Sequence, residues 1–219
     1  MDPVEHAVYR LRNAEIAPYP FPHFFATDVF PRDFYTRLRS ELPPDAAYTQ
    51  LSPLYKERLI TDAAQAPCLR AFQSEYFLKS VANIFAPEIA RLGAGFELQG
   101  ELRLVRDSGG YQITPHTDAP WKMISLLFYL PADESGETHG TSLYVPKNHS
   151  KRCKGGPHWP REEFDRIYTA PYIPNACFGF WKTDHSWHGV EKIQTEICRD
   201  VLLFNVYNKL LAQAELAPA

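Results

Sequence analysis

Downstream of Gly95 the chain breaks into short apolar segments, each closed by turn-forming residues. No other feature limits the fold as much. FELQGELRLVRD, YQITPH, WKMISLLFYLP, GTSLYVP, ACFGFWKT, SWHGVEKI and RDVLLFNVY are rich in aromatic and β-branched residues, the composition of strands. Asp107-Ser108-Gly109-Gly110 is a turn cluster between the first two. Several short strands in succession bury their faces only by stacking two sheets or by closing on themselves. Residues 96–210 are therefore expected to form a β sandwich or barrel.

Residues 1–95 have a different texture. In PRDFYTRLRSELPP, Phe34, Leu38 and Leu42 recur every four residues, and Tyr35 widens the stripe. Pro31 suits a first turn, and Pro43-Pro44 stops the helix. A second helix is expected from Leu69 to Phe85, with Leu69, Phe72, Tyr76 and Ile84 near one face. Such stripes pack on a sheet, so the expectation is one domain spanning 1–219, mainly β with α, its N-terminal helices lying on one sheet. Lys147 to Asn175 interrupts the strand pattern. It is basic early on (Lys147, Lys151, Arg152, Lys154), then proline-rich, with a short helical piece expected around Arg161 to Ile167. A loop of this length in a compact domain is usually functional. It and the Trp121 region are candidate covers for a site. The basic cluster reads first as a solvated loop and second as a contact for an anionic substrate group.

Composition sets outer bounds. Hydrophobic residues are 45% and charged residues 22% of 219, ordinary for a globular domain. A formal net charge of −3 gives no basic field for nucleic acid. The apolar run near Met123 to Pro131 is too short to span a bilayer, and MDPVEHAVYR lacks the pattern of a signal peptide. Cys68, Cys153, Cys177 and Cys198 form no C-x-x-C pair and read as reduced thiols in a cytoplasmic protein.

ITPHTDAPWK places His116 and Asp118 two positions apart. Chance alone yields about 0.4 such pairs in a chain with this histidine content, so the pair carries little by itself. A polar turn is the plain alternative. FWKTDHSWHGV then adds His188 about seventy residues on, and Arg199 opens the last strand eleven residues later. Two imidazoles and a carboxylate on one face of a metal leave positions free for a co-substrate and dioxygen, which suits non-haem Fe(II). A structural zinc site would close all positions and recruit thiolates. Arg199 is a planar fork suited to bidentate capture of a carboxylate. Flanked by VLLFNVY, it should have an anionic partner.

In this ordered set of His-x-Asp, distal His and following Arg, the chain resembles the Fe(II)- and 2-oxoglutarate-dependent dioxygenases, in particular bacterial members of the prolyl-hydroxylase-like group. KMISLLFYLP resembles the strand that follows the first two ligands, and GTSLYVP the family's Gly-Gly-x-Leu strand, with Thr141 where a second glycine is frequent. PFPHFFATDVFPRDFYTRLRSELP resembles the N-terminal opening, so the likeness runs from Tyr19 to Tyr207. It implies a double-stranded β-helix core (jelly roll, cupin-like), metal ligands His116, Asp118 and His188, and Arg199 on the far carboxylate of 2-oxoglutarate. It also implies hydroxylation of an unactivated C–H bond of a small molecule or peptide by O2, with release of succinate and CO2. Halogenating relatives carry a small residue where this chain has Asp118, which favours hydroxylation. One position departs from the pattern. Many members have a hydroxyl two residues after the arginine, and this chain has Val201. Strand position offers Tyr111, Gln112 or Ser125 as replacement contacts.

His185 competes with His188 for the third ligand. Residues three apart on a strand face opposite sides; Gly189, Val190 and the spacing to Arg199 favour His188. His6, His23, His139, His149 and His158 read as loop or surface residues, the last two in the segment able to cover the site. Two other readings stay open: a metal-dependent cupin-type enzyme that does not use 2-oxoglutarate, and a non-catalytic binding module on the same fold.

Overall fold

A computed structural model describes residues 1–53, 55–93, 95–194 and 196–216. Helix α1 (Pro3–Arg12) leads into strand β1 (His23–Ala26), α2 (Arg32–Ser40), β2 (Thr49–Ser52) and β3 (Tyr55–Asp62). After a 3-10 segment, Pro67–Gln73, come α3 (Glu75–Ile84) and α4 (Ala86–Ala90). The β-rich part comprises β4 (Leu98–Asp107), β5 (Ile113–His116), β6 (Lys122–Tyr129), β7 (Thr141–Pro146), β8 (Phe164–Thr169), β9 (Ala176–Trp181), β10 (His188–Val190) and β11 (Arg199–Asn208), followed by α5 (Lys209–Leu216). Seven strands form one sheet in the order β1-β9-β6-β11-β4-β3-β2, and four form the other, β5-β10-β7-β8. All pairings are antiparallel. This is the expected double-stranded β-helix.

Alternation along each strand sorts the core into two layers. Leu104, Leu126, Phe128, Leu202 and Phe204 point outward from the large sheet, onto Val4, Val8, Leu11, Leu38, Phe72 and Phe77 of the helical layer. Val105, Tyr129, Phe178, Phe180 and Val201 point inward, toward Leu143 of the small sheet. With both faces covered, β11 reads as a nearly continuous apolar run. The helices do lie on one sheet. In α1, Asp2 accepts from the amides of Val4 and Glu5 at 2.9 and 3.1 Å, and Val4, Ala7, Val8 and Leu11 make the buried stripe.

Several elements differ from expectation. The helix expected from Leu69 to Phe85 is split at Ser74, whose extended backbone ends the 3-10 segment and whose hydroxyl caps α3 by accepting from Phe77 N at 3.3 Å. The split turns Tyr76 outward, 56% exposed, and puts Phe77 in the core. The helical piece expected from Arg161 to Ile167 is one 3-10 turn, Arg161–Glu163, followed by β8. Residues of FDRIYT pair along β7 and seat Phe164 against Tyr144 and Trp187. Three strands, β1 to β3, come from the region read as helical and extend the large sheet. His23 and His139 are buried; the His23 ring packs among Phe21 and Phe178, its Nδ1 donating to the Phe21 carbonyl at 2.8 Å.

Candidate active site

Pairing of β5 with β10 sets His188 directly across from His116. Their ring centroids are 4.3 Å apart. Gly189 allows this approach, since a Cβ there would stand 2.4 Å from the Ile113 carbonyl oxygen. The His116 Nδ1 lies 3.0 Å from the Thr114 carbonyl and the His188 Nδ1 2.9 Å from the Ser186 carbonyl. A carbonyl only accepts, so each Nδ1 carries the proton and each Nε2 offers a lone pair. Asp118, just past the end of β5, completes the group: the potential ligand atoms of His116, Asp118 and His188 all lie within 4.8 Å of one another. His185 is exposed and lines an outer groove with His149 and Arg152. The structure therefore brings His188, not His185, to His116 and Asp118.

The surroundings fix the charge states. Burial above all, and then the neighbouring His188, pushes the His116 pKa well below its ordinary value; burial likewise lowers His188. Both imidazoles are neutral, as metal ligands must be. Burial opposes charge on Asp118, but the Lys122 ammonium leads the interactions that outweigh it and hold the carboxyl well below the usual range. Lys122 Nζ sits 3.0 Å from Asp118 Oδ1, and Ser125 donates to Asp118 Oδ2 at 2.9 Å.

One cavity joins this group to Arg199. It is lined by His116, Asp118, His188, Ser125, Thr141, Arg58, Arg199 and Val201, among others. Arg199 is fully buried. Its Nη1 donates to Asp107 Oδ2 at 2.7 Å, and Tyr129 and Tyr172 flank the guanidinium, each ring centroid 5.5 Å away. Among the described residues its Nε and Nη2 have no partner. Asp107 is the anionic partner the sequence called for, but it is shared: Arg58 grips the same carboxylate through Nε at 2.6 Å and Nη2 at 2.8 Å. Two guanidiniums thus share this carboxylate, and Arg199, which lines the cavity, keeps two donors without a partner among the described residues.

The replacement contacts named from the sequence do not gather there. Gln112 is exposed and is absent from the cavity wall. The Tyr111 ring is buried under Arg58, 4.3 Å from its guanidinium, against Val190 and Ile193, outside the cavity wall. Ser125 does line the cavity, yet its hydroxyl serves Asp118 and lies 3.3 Å from Asn205 Oδ1. Arg58 and Asp107 escaped sequence reading because their meeting depends on β3–β4 register, Arg58 opposite Asp107. The long segment from Lys147 is tied down at many points. Cys153 N donates to Asp184 O and Trp159 N to Pro115 O, while Thr117 Oγ1 donates to Cys153 O at 2.8 Å. Its Gly155 rests on the backbone of Asp118, and the His158 ring stands 4.7 Å from that of His116. Lys151 is engaged by Glu163 and the Trp159 ring, which removes it from the basic cluster offered to an anionic substrate.

No family model matches the chain, and no curated protein matches it in sequence. Solved structures do match it in shape. A prolyl 4-hydroxylase from Phytophthora capsici superposes with a TM-score of 0.62 over 100% of this chain and 71% of its own, at 16% identity. A Pseudomonas putida prolyl-4-hydroxylase gives 0.55 over 94% and 99%, at 14% identity. The epimerase SnoN, solved with Fe3+, alpha ketoglutarate and nogalamycin RO, gives 0.57 over 94% and 83%, at 14% identity. The chain has the fold of the 2-oxoglutarate-dependent oxygenases. Within that oxygenase fold, the donor set present suits an iron ion: two neutral imidazole nitrogens and one ionised carboxylate, with no thiolate among them. The two unpartnered donors of Arg199, on a residue lining the same cavity, suit a carboxylate.

Proposed function

We propose that this chain is an Fe(II)- and 2-oxoglutarate-dependent oxygenase that hydroxylates an unactivated C–H bond of a small molecule or peptide. The carrying observation is one cavity with a two-histidine, one-aspartate cluster on its wall and an unsatisfied, fully buried guanidinium edge on the same wall. Bound iron and 2-oxoglutarate would supply the oxidising power, drawn from dioxygen with release of succinate and CO2. The rest falls to the chain's own residues. His116 and His188 present Nε2 because backbone carbonyls hold Nδ1. Asp118 is kept ionised and oriented by Lys122 and Ser125. Arg199, clamped by Asp107, orients the distal carboxylate of the co-substrate. The segment from Lys147 to Trp159 walls the metal side from water.

A cupin-type enzyme without 2-oxoglutarate would have no use for a buried cation left half-satisfied. No nucleic-acid or membrane partner is proposed; among the described residues no helix is long and apolar enough to cross a membrane. Four cysteines without disulfides support a reducing, cytoplasmic setting. The test is succinate release from 2-oxoglutarate across a panel of amino acids, peptides and glycosylated metabolites, followed by mass analysis of the consumed compound. Substrate-dependent succinate with a product heavier by one oxygen atom is expected. Succinate with an isomeric product would assign epimerisation, as in the epimerase SnoN; no succinate with any panel member from iron-loaded protein counts against the proposal.

A further inference from the structure

The distal carboxylate of a bound dicarboxylate needs more donors than one guanidinium edge supplies, because a carboxylate has about four lone-pair sites. Val201 cannot help. It lines the cavity beside Arg199, but it is aliphatic. Thr141, at the start of β7, lines the same cavity. Its pairing opposite Val190 places it in the small sheet, facing the large sheet that carries Arg199. Its side chain is 1% exposed.

Its hydrogen bonding leaves one donor over. The Tyr129 phenol accepts from Thr141 N at 3.0 Å and donates its own hydrogen to Thr141 Oγ1, also at 3.0 Å. With Oγ1 acting as an acceptor, the Thr141 hydroxyl hydrogen is free to point elsewhere. Among the described residues it has no other bonded acceptor, and a buried hydroxyl hydrogen without one is costly. The Tyr129 ring that fixes this hydroxyl is also the ring flanking the Arg199 guanidinium. The spare hydrogen and the open guanidinium edge thus belong to one corner of the cavity.

Resting on the reading of this cavity as the 2-oxoglutarate chamber, we infer that Thr141 is the second anchor of the co-substrate's distal carboxylate. It donates from β7 the hydrogen bond that Val201 on β11 cannot. Tyr129 is the positioning residue: by donating to Oγ1 it turns the threonine hydrogen toward the cavity. The site therefore recognises a 2-oxo acid with a second carboxylate more strongly than one without.

The experiment is calorimetric titration of nickel-loaded, full-length protein with 2-oxoglutarate and, separately, with pyruvate, which lacks the distal carboxylate. Thr141→Val removes the hydroxyl at nearly constant shape; Thr141→Ser keeps it. Thr141→Val is expected to weaken 2-oxoglutarate about tenfold, as for a lost bond to a charged acceptor, with nickel affinity and the weak binding of pyruvate unchanged. Thr141→Ser should stay within about twofold of the parent. In the Thr141→Val background, Val201→Thr returns a hydroxyl from the facing strand and should recover most of the loss. Equal 2-oxoglutarate affinity in parent and Thr141→Val, or equal loss for both acids, overturns the role of Thr141 while leaving the chamber intact. A parent protein that binds nickel but neither acid overturns the chamber, and this inference with it. Should Thr141→Val fail to fold, Tyr129→Phe serves instead, with a smaller selective loss for 2-oxoglutarate expected and no selective loss overturning the inference.

Discussion

The two ends of the cavity are built by different means. At the metal end, His116 and Asp118 come from one short stretch, and His188 joins them through direct strand pairing. Each imidazole is held by a carbonyl two residues before it. At the carboxylate end, Arg58, Asp107 and Arg199 come from three strands and meet only because β3, β4 and β11 share a register at Asp107. The metal end is local geometry fixed once; the carboxylate end is an ion cluster assembled by the whole large sheet. Damage at one end should spare the other.

Loss of a metal ligand is the harshest break. His188→Ala is expected to abolish stoichiometric iron binding and to lower substrate-dependent succinate release by at least about a thousandfold, as for removal of a Lewis-acid centre. The denaturant midpoint of the metal-free protein should change little. Metal analysis beside an unfolding curve checks both halves.

Asp107→Asn acts at the other end and on stability. It leaves the buried Arg199 and the half-buried Arg58 without their shared carboxylate, at a cost of about 3 kcal/mol. A lower denaturant midpoint with iron stoichiometry retained is expected; loss of iron binding in folded protein would erase the separation between the ends. Arg199→Ala should keep the metal and weaken 2-oxoglutarate about a hundredfold, in line with truncation of one member of a buried charge pair. The smallest effects sort the remaining polar residues. Ser125→Ala should weaken iron about tenfold, as outer contacts to ligands do, with little change for 2-oxoglutarate. Gln112→Ala should change neither, because its side chain is outside the cavity wall.

The same division explains what the sequence revealed. His116, Asp118, His188 and Arg199 were legible because spacing on strands carries them, and strand periodicity was clear from Leu98 onward. The seven strands anticipated in that region all form. Edges and meetings were not legible. YKERLITD is charged enough to pass for a loop, as an edge-region strand often is, so Arg58 had no assigned place. HFFA is only four residues long. FDRIYT pairs because β7 offers an edge, a tertiary fact. Ser74 ended a helix that apolar spacing alone would have continued, since a side chain bonding its local backbone competes with the stripe. Ser125, offered by strand position as a co-substrate contact, has Asp118 as its partner, and strand spacing alone does not distinguish a hydroxyl that serves a ligand from one that serves a co-substrate.

The most direct measurement is an anaerobic absorption titration of the purified protein, first with Fe(II) and then with 2-oxoglutarate. One equivalent of iron should bind, and 2-oxoglutarate should then produce a weak visible metal-to-ligand charge-transfer band that is absent in His116→Ala and needs far more co-substrate in Arg199→Ala. Folded protein that holds one iron yet shows no such band at saturating 2-oxoglutarate would contradict the account.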